Sequence, residues 1–258
     1  MIKKKIHLLH NVAVATLLAS ASQPASAAVE YDVRAGWSVG GVMPLGMPAS
    51  IRTLHSYSLR PNFYIGPDVH YAFDGHWGIM AGLHLEHKSM KTDAGVKGYH
   101  MKIVRGGEEM EGVFTGSVVT RADQYLLTLP VQATFALGSQ VRLKLGPYVS
   151  YALSNKFDGW AYDGYVRRQE EGHQQGDPTG QKVELGHDEG QRGEYDFSGD
   201  LRRWQVGADF GVDWNFCRHW GVSADLTWAL TPAFSSGFTV IEQKMYAIYG
   251  NIGVMYRF

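Results

Sequence analysis

Apolar and polar positions alternate along most of this chain. In "YDVRAGWSV", Tyr31, Val33, Ala35, Trp37 and Val39 share one parity, and Asp32, Arg34, Gly36 and Ser38 share the other. "NFYIGPDVHYAF" sets Phe63, Ile65, Val69, Tyr71 and Phe73 against Asn62, Tyr64, Gly66, Asp68 and His70. The pattern returns in "WGIMAGLHLE", "YLLTLPVQATFAL", "VRLKLGPYVSYAL", "RWQVGADFGVDWNF", "WGVSADLTWAL" and "MYAIYGNIGVMYRF". A period of two marks β-strands with unlike faces. Eight such segments predict an all-β fold of eight antiparallel strands.

Connections between the segments alternate in length. Asp74-Gly75-His76, Gly138-Ser139-Gln140 and Cys217-Arg218-His219 are tight turns, whereas residues 43–59, 89–123, 154–200 and 231–243 form long connections. Short turns on one side and long loops on the other are the habit of an outer-membrane β-barrel, and a soluble sandwich has no reason to sort its loops so.

Aromatic spacing supports a membrane crossing. On the apolar face, Phe63 and Phe73, Tyr125 and Phe135, Trp204 and Trp214, and Tyr246 and Tyr256 are each ten residues apart, and Trp220 and Trp228 are eight apart. Ten residues at about 3.3 Å each, tilted by about 45°, span roughly 23 Å, close to the ~25 Å apolar band between aromatic girdles. With Trp77, these residues form the predicted membrane girdle, in contact with outer-membrane lipid.

The opposite face carries charge. Alternation places Asp32, Arg34, Asp68, His84, Glu86, Arg142, Lys144, Arg203, Asp209, Asp213, Asp225 and Arg257 toward the inside. An apolar lumen could not bury that set, whereas a barrel with lipid outside can pair the charges within. Eight strands leave an interior that side chains fill, so a plugged barrel without an open pore is expected. Pro130 and Pro147 fall inside segments and predict a bulge or local break at each. Leu126 falls in the polar phase and points to irregular register nearby.

The first 27 residues read as a signal peptide, leaving residues 28–258 as the barrel domain. Lys3, Lys4 and Lys5 are basic, Val12 to Ala19 form a short apolar core, and Ala25-Ser26-Ala27 is a small-x-small cleavage site. Removing the three lysines takes the formal charge from −1 to −4, which disfavours nucleic acid as a partner. The single cysteine, Cys217, excludes an internal disulfide.

Asn251, Gly253, Tyr256 and Phe258 at the end of the chain resemble the signal read by the barrel assembly machinery, a partner this resemblance implies during insertion. The hairpin "NFYIGPDVHYAFDGHWGIMAGL", then "YLLTLPVQATFAL" and "LGPYVSYAL", resemble the PorT-like family of outer-membrane β-barrel domains. That resemblance implies a small outer-membrane barrel and assigns no residue a function.

Candidate chemistry is sparse. The third long connection holds eleven acids and five bases, with His173 and His187, but no known metal-loop spacing. It reads as a solvated or hairpin-extended loop. The second contains "HMKIVRGGEEMEGVFTGSVVTR", whose partial alternation suggests two strands protruding beyond the membrane. His84, Glu86, His87 and Ser150 are the candidates for a rim active site of a lipid A-modifying enzyme, but no motif supports them. The favoured expectation has no catalytic residue, cofactor or metal. It is a structural or interaction barrel whose loops meet an envelope protein or a host ligand. Deleting Phe258 is expected to lower the amount of protein in the outer membrane severalfold. Immunoblots of purified membranes measure it, and undiminished levels would refute the assembly role.

Overall fold

The computed structural model describes residues 29–46, 49–168, 180–238, 240–241 and 243–258. The expected signal peptide, residues 1–27, and His173 lie outside the described residues. Twelve strands occur among the described residues: β1 (Val29–Pro44), β2 (Ile51–Leu59), β3 (Phe63–Ala72), β4 (Trp77–Gly82), β5 (His84–Arg105), β6 (Glu108–Leu137), β7 (Val141–Arg168), β8 (Lys182–Leu185), β9 (Gly193–Asp196), β10 (Trp204–Asn215), β11 (Trp220–Ala229) and β12 (Met245–Arg257). No helix there is long and apolar enough to cross a membrane.

Antiparallel pairing closes a ring. β1 pairs with β12 and β3, β3 with both β4 and β5, and these two with β6. From β6 the ring continues through β7, β10 and β11 back to β12. Closure leaves no strand edge in the ring.

Twelve strands stand where alternation predicts eight, for two reasons. First, β4 and β5 run end to end and are separated by Leu83 alone. Second, β2, β8 and β9 lie in the long connections, where β2 pairs with β5 and both β8 and β9 pair with β7.

Prolines explain the interruption at Leu83. The Leu83 N–H donates to the Pro67 carbonyl at 3.0 Å, but Pro67 has no N–H to return. On the other side of the same strand pair, the ladder stops at Ala81–Val131 and resumes at His84–Thr128, leaving a gap opposite Pro130. Between β6 and β7 it stops at Pro130–Tyr148 and resumes at Ala133–Leu145, opposite Pro147. Register is kept across each gap, so the prolines produce breaks and not bulges. One bulge near them lies where β6 shifts against β7 between Tyr125 and Leu126. There Leu153 and Ser154 of β7 are both exposed, while Leu126 is buried inside the ring.

Residues 89–123, the long connection whose partial alternation suggests two protruding strands, are mostly ladder. β5 and β6 stay paired as far as Arg105–Glu108. They turn at Gly106 and Gly107, whose φ of 60° and 86° suit glycine. β7 accompanies β6 up to Arg168. This extension has its own apolar core, which includes Ile103, Phe114, Phe157, Val166, Tyr195 and Phe234. The third connection therefore contains folded parts, with β8, β9 and a 3-10 turn (Ser198–Asp200) around the end of β7.

Close approach explains two interior glycines. A Cβ on Gly36 would lie 2.6 Å from Tyr64 Cε1 and 2.6 Å from Gly253 Cα. The Tyr64 ring crosses the glycines of β1 and β12, and its hydroxyl meets Ser223 Oγ at 3.0 Å. Gly36→Val is expected to destabilise the barrel by about 1–3 kcal/mol through overpacking. Gly75→Ala, with nothing within 4 Å of its added Cβ, should be neutral. Heat-modifiable mobility after a denaturant series checks both, and equal stability of the two variants would contradict this packing.

Candidate functional site

Inward positions in the lower ring, nearest the short turns, build a connected ionic network. The Arg34 guanidinium contacts Asp68 and lies 3.5 Å from Asp213 and 3.9 Å from Asp225. Lys144 Nζ sits 2.7 Å from both Asp213 and Asp225. Closer to the turns, Arg142 contacts Glu30 and approaches Asp32 at 3.7 Å, while Arg257 reaches Asp32 at 3.1 Å and Glu30 at 3.5 Å. His84 joins Asp68 at 3.0 Å and His70 joins Glu30 at 3.2 Å. Higher up, Lys88 pairs with Glu86 at 2.6 Å. Buried charges require such partners, because an isolated one costs several kcal/mol to bury.

Of the predicted interior residues, Asp32, Arg34, Asp68, Glu86, Arg142, Lys144, Asp209 and Asp213 are buried, and Asp225 and Arg257 partly so. Arg203 is a correction. It is exposed, in a bend just before β10 begins at Trp204, so strand parity does not reach it. Sequence reasoning missed Glu30 and Lys88 as members of the network. It also missed the neutral pairs Gln124–Gln205 at 3.3 Å and Thr128–Ser150 at 2.8 Å. The inward parity of Lys88 on β5, two residues after Glu86, was a readable sign.

The outer face is apolar. Phe63, Phe73, Trp77, Tyr125, Trp204, Trp214, Trp220 and Trp228 are exposed, and Phe135 and Tyr246 are half-buried. Trp77 packs on Phe135, Tyr151 on Trp204, and Trp220 on Tyr256, with ring centroids 4.8, 4.9 and 5.0 Å apart. Ile65, Leu129, Leu145, Phe210 and Ile252 are also exposed on this side. So broad an apolar surface suits lipid and not water.

Asn251, Gly253, Tyr256 and Phe258 divide between the faces. Asn251 and Gly253 are buried inside, Tyr256 is half-buried, and Phe258 is exposed with its N–H on the Tyr31 carbonyl at 3.0 Å. Gly253 has a packing reason to be glycine, since the Tyr64 hydroxyl lies against it.

The candidates for rim catalysis do not come together. Ser150 is fully buried and bonded to Thr128, His84 is held by Asp68, and Glu86 by Lys88. His87 bonds the Pro61 carbonyl at 2.9 Å and Asp123 at 3.1 Å. His187 pairs with Asp163 at 3.0 Å. No cluster of three or more metal-ligating side chains occurs among the described residues.

Above Lys88 the interior changes character. Its ammonium lies 5.0 Å from the centre of the Tyr249 ring, and the next inward residue on β5 is the buried Met90. The extension continues this apolar core and carries most of its charge on its outside. There Lys91, Arg121 and Arg192 surround the Trp160 ring at 5.5, 5.1 and 4.9 Å. Burial opposes the charge on Asp158, but hydrogen bonds from Arg121 and Lys156 hold its carboxyl below the usual aspartate range. These two contacts therefore support the extension at neutral pH, and their contribution fades only as acidification protonates that depressed carboxyl.

A closed antiparallel ring, polar inside and apolar outside, is the architecture of bacterial outer-membrane barrels. The chain belongs to the outer membrane protein beta-barrel domain family, whose model matches residues 21–235, and it resides in the bacterial outer membrane. Among solved structures it is similar to Ail, the attachment invasion locus protein of Yersinia pestis, at 13% identity and a TM-score of 0.39, covering 89% of this chain and 98% of that one. CarO2 of Acinetobacter baumannii matches at 10% identity and a TM-score of 0.38, covering 89% and 98% of the two chains. OprG of Pseudomonas aeruginosa matches at 13% and 0.35, covering 90% and 97%. No curated protein matches the chain.

Lys144→Met would leave Asp213 and Asp225 without the cation between them. A loss of about 3–5 kcal/mol is expected. Urea titration of heat-modifiability in lipid measures it, and wild-type stability would contradict the network's role.

Proposed function

We propose that this chain is a small barrel of eight membrane-crossing staves whose work is non-enzymatic and is carried by its extracellular extension. The count is eight when β4 and β5 are taken as one interrupted stave and β2, β8 and β9 as part of the extension. The aromatic residues of the outer face then serve as girdles at the two lipid interfaces, and the ionic lower interior as a plug. The finer likeness to PorT-like barrels rests on the motifs quoted above and carries no role in secretion with it.

The observation that carries this reading is the folded extension. A connection that only joins two staves needs a few residues and no core of its own. Here β5, β6 and β7 continue as a paired sheet, joined by β2, β8 and β9, around a buried apolar cluster. Such a body offers a fixed surface for recognition, whereas a solvated loop would have to be ordered on binding. Its partner class is an envelope protein or a surface ligand of a host. The terminal residues Asn251 to Phe258 serve the assembly machinery in this reading. A lipid A-modifying activity has less support, because Ser150 and the histidines lie in separate hydrogen-bonded pairs.

Asp93 and Val119 are register partners, so joining them through an Asn-Gly turn shortens the hairpin and leaves the ladder below intact. The shortened protein should still insert and show heat-modifiable mobility, yet lose retention of its partners in pull-downs from intact outer membranes, by about tenfold or more. Mass spectra of lipid A should be identical with and without the full-length protein. Unchanged retention sinks the interaction reading, and a lipid A species that depends on the protein establishes the enzymatic one.

A further inference from the structure

The upper interior contains a cavity of about 360 Å³ between the end of β1, β2, the outer halves of β5 and β6, and the residues leading into β12. Met43, Met90, Met101, Val118, Ile241 and Met245 contribute to its wall. None of the described residues lining it is charged, although the interior a short way below is ionic.

The hydroxyls of Tyr57, Thr120 and Tyr195 in the wall are engaged with the protein. Tyr195 donates to the Val119 carbonyl at 2.9 Å, and Thr120 Oγ1 lies 2.7 Å from the Tyr195 hydroxyl. Tyr57 donates to the Gly40 carbonyl. Among the described residues, the buried side-chain polar atoms that lack a hydrogen bond belong to other parts of the molecule, chiefly the lower interior. The wall thus offers a charged guest no opposite charge, and three of its hydroxyls already have protein partners.

The lining is also adaptable on one side and fixed on the other. Met90 Sδ accepts the Val42 N–H at 3.3 Å, and the Lys88–Tyr249 contact closes the floor below it. Met43, 40% exposed, and Leu54, 57% exposed, stand at the open side. Unbranched thioethers refit around guests of different outline.

We propose that this cavity is a binding site for a small, uncharged, apolar molecule that enters from outside the membrane. Its volume lies at the lower end of the roughly 300–1,000 Å³ typical of small-molecule sites, enough for a single- or fused-ring compound or a medium-length aliphatic chain. It is too small for a folded partner, so the site is independent of recognition by the outer surface of the extension. An acyl chain from an outer-leaflet lipid shares the chemistry, and the test separates the two sources.

The full chain in lipid nanodiscs is titrated with trifluoromethyl-phenyldiazirine, irradiated, and its adducts are mapped by mass spectrometry. Labelling at Met101 and Met245 should saturate, while labelling at the outward-facing Phe63 and Trp204 rises in proportion to the probe. Ile51→Trp and Ala94→Trp fill the cavity from β2 and β5. Each should raise the half-saturating concentration by about tenfold or more without changing the Phe63 and Trp204 labelling. Heat-modifiable mobility shows which variants fold, and the saturation measurement on the unaltered chain stands if neither does. Absent or unsaturable cavity labelling overturns the proposal, as does saturation that a folded cavity-filling variant leaves unmoved. A carboxylated diazirine that labels equally well overturns the apolar class. Labelling of the cavity by a diazirine phospholipid and not by the free probe assigns it to an acyl chain and overturns the free-molecule site.

Discussion

The Lys144 ammonium between Asp213 and Asp225, with Arg34 on their other side, is the contact on which the lower barrel depends. A closed ring sends every second side chain of each strand into one enclosed space. Here those side chains come from five strands: Arg34 from β1, Asp68 from β3, Lys144 from β7, Asp213 from β10 and Asp225 from β11. β1 and β10 share no ladder, so the Arg34–Asp213 contact spans the interior and not a strand pair. The lipid-facing surface has no polar group that could substitute for these contacts. Each cation is therefore stabilised by at least one nearby acid, and loss of any one leaves a charge that the interior cannot hydrate cheaply.

Ionic contact fills the lower ring, and apolar contact fills the upper. Glycines make the first possible, because Tyr64 lies across Gly36 and Gly253 and leaves room for the long cationic side chains around it. The boundary falls between Lys88 and Met90 on β5 and at Tyr249 on β12. Above it the strands keep their ladder but have water outside, so the burial pattern inverts: apolar residues turn inward and charges such as Lys91 and Arg121 turn out. One continuous sheet thus serves two solvents. That inversion gives the extension a core of its own, and with it a fixed shape.

Much of this was legible in the sequence, because a period of two reports both faces of a strand at once. The inward charges from Asp32 to Arg257 and the outward aromatics from Phe63 to Trp228 lie on the faces that parity assigns them. Parity failed at Arg203, where the chain bends before the strand starts. It suggested two protruding strands in the second connection but not their full length, since β5 and β6 keep alternating well past the width of a membrane and only their burial reverses. Neutral partners such as Gln124 and Gln205 carry no charge to draw attention. Pro130 and Pro147 marked real interruptions, but the third member of that diagonal, Pro67, acts on Leu83 across a strand pair and is invisible in one dimension.

Which face of the sheet meets lipid decides every role assigned to its two faces. Single-tryptophan variants that retain Trp204 or Trp214 alone, reconstituted with lipids brominated at known acyl depths, test this directly. Both indoles should be quenched by bromines near the interfaces and shielded from aqueous acrylamide, with their depth profiles displaced toward opposite leaflets. Indoles that acrylamide reaches freely and brominated chains do not quench would contradict the account, because the apolar face would then lie away from the membrane.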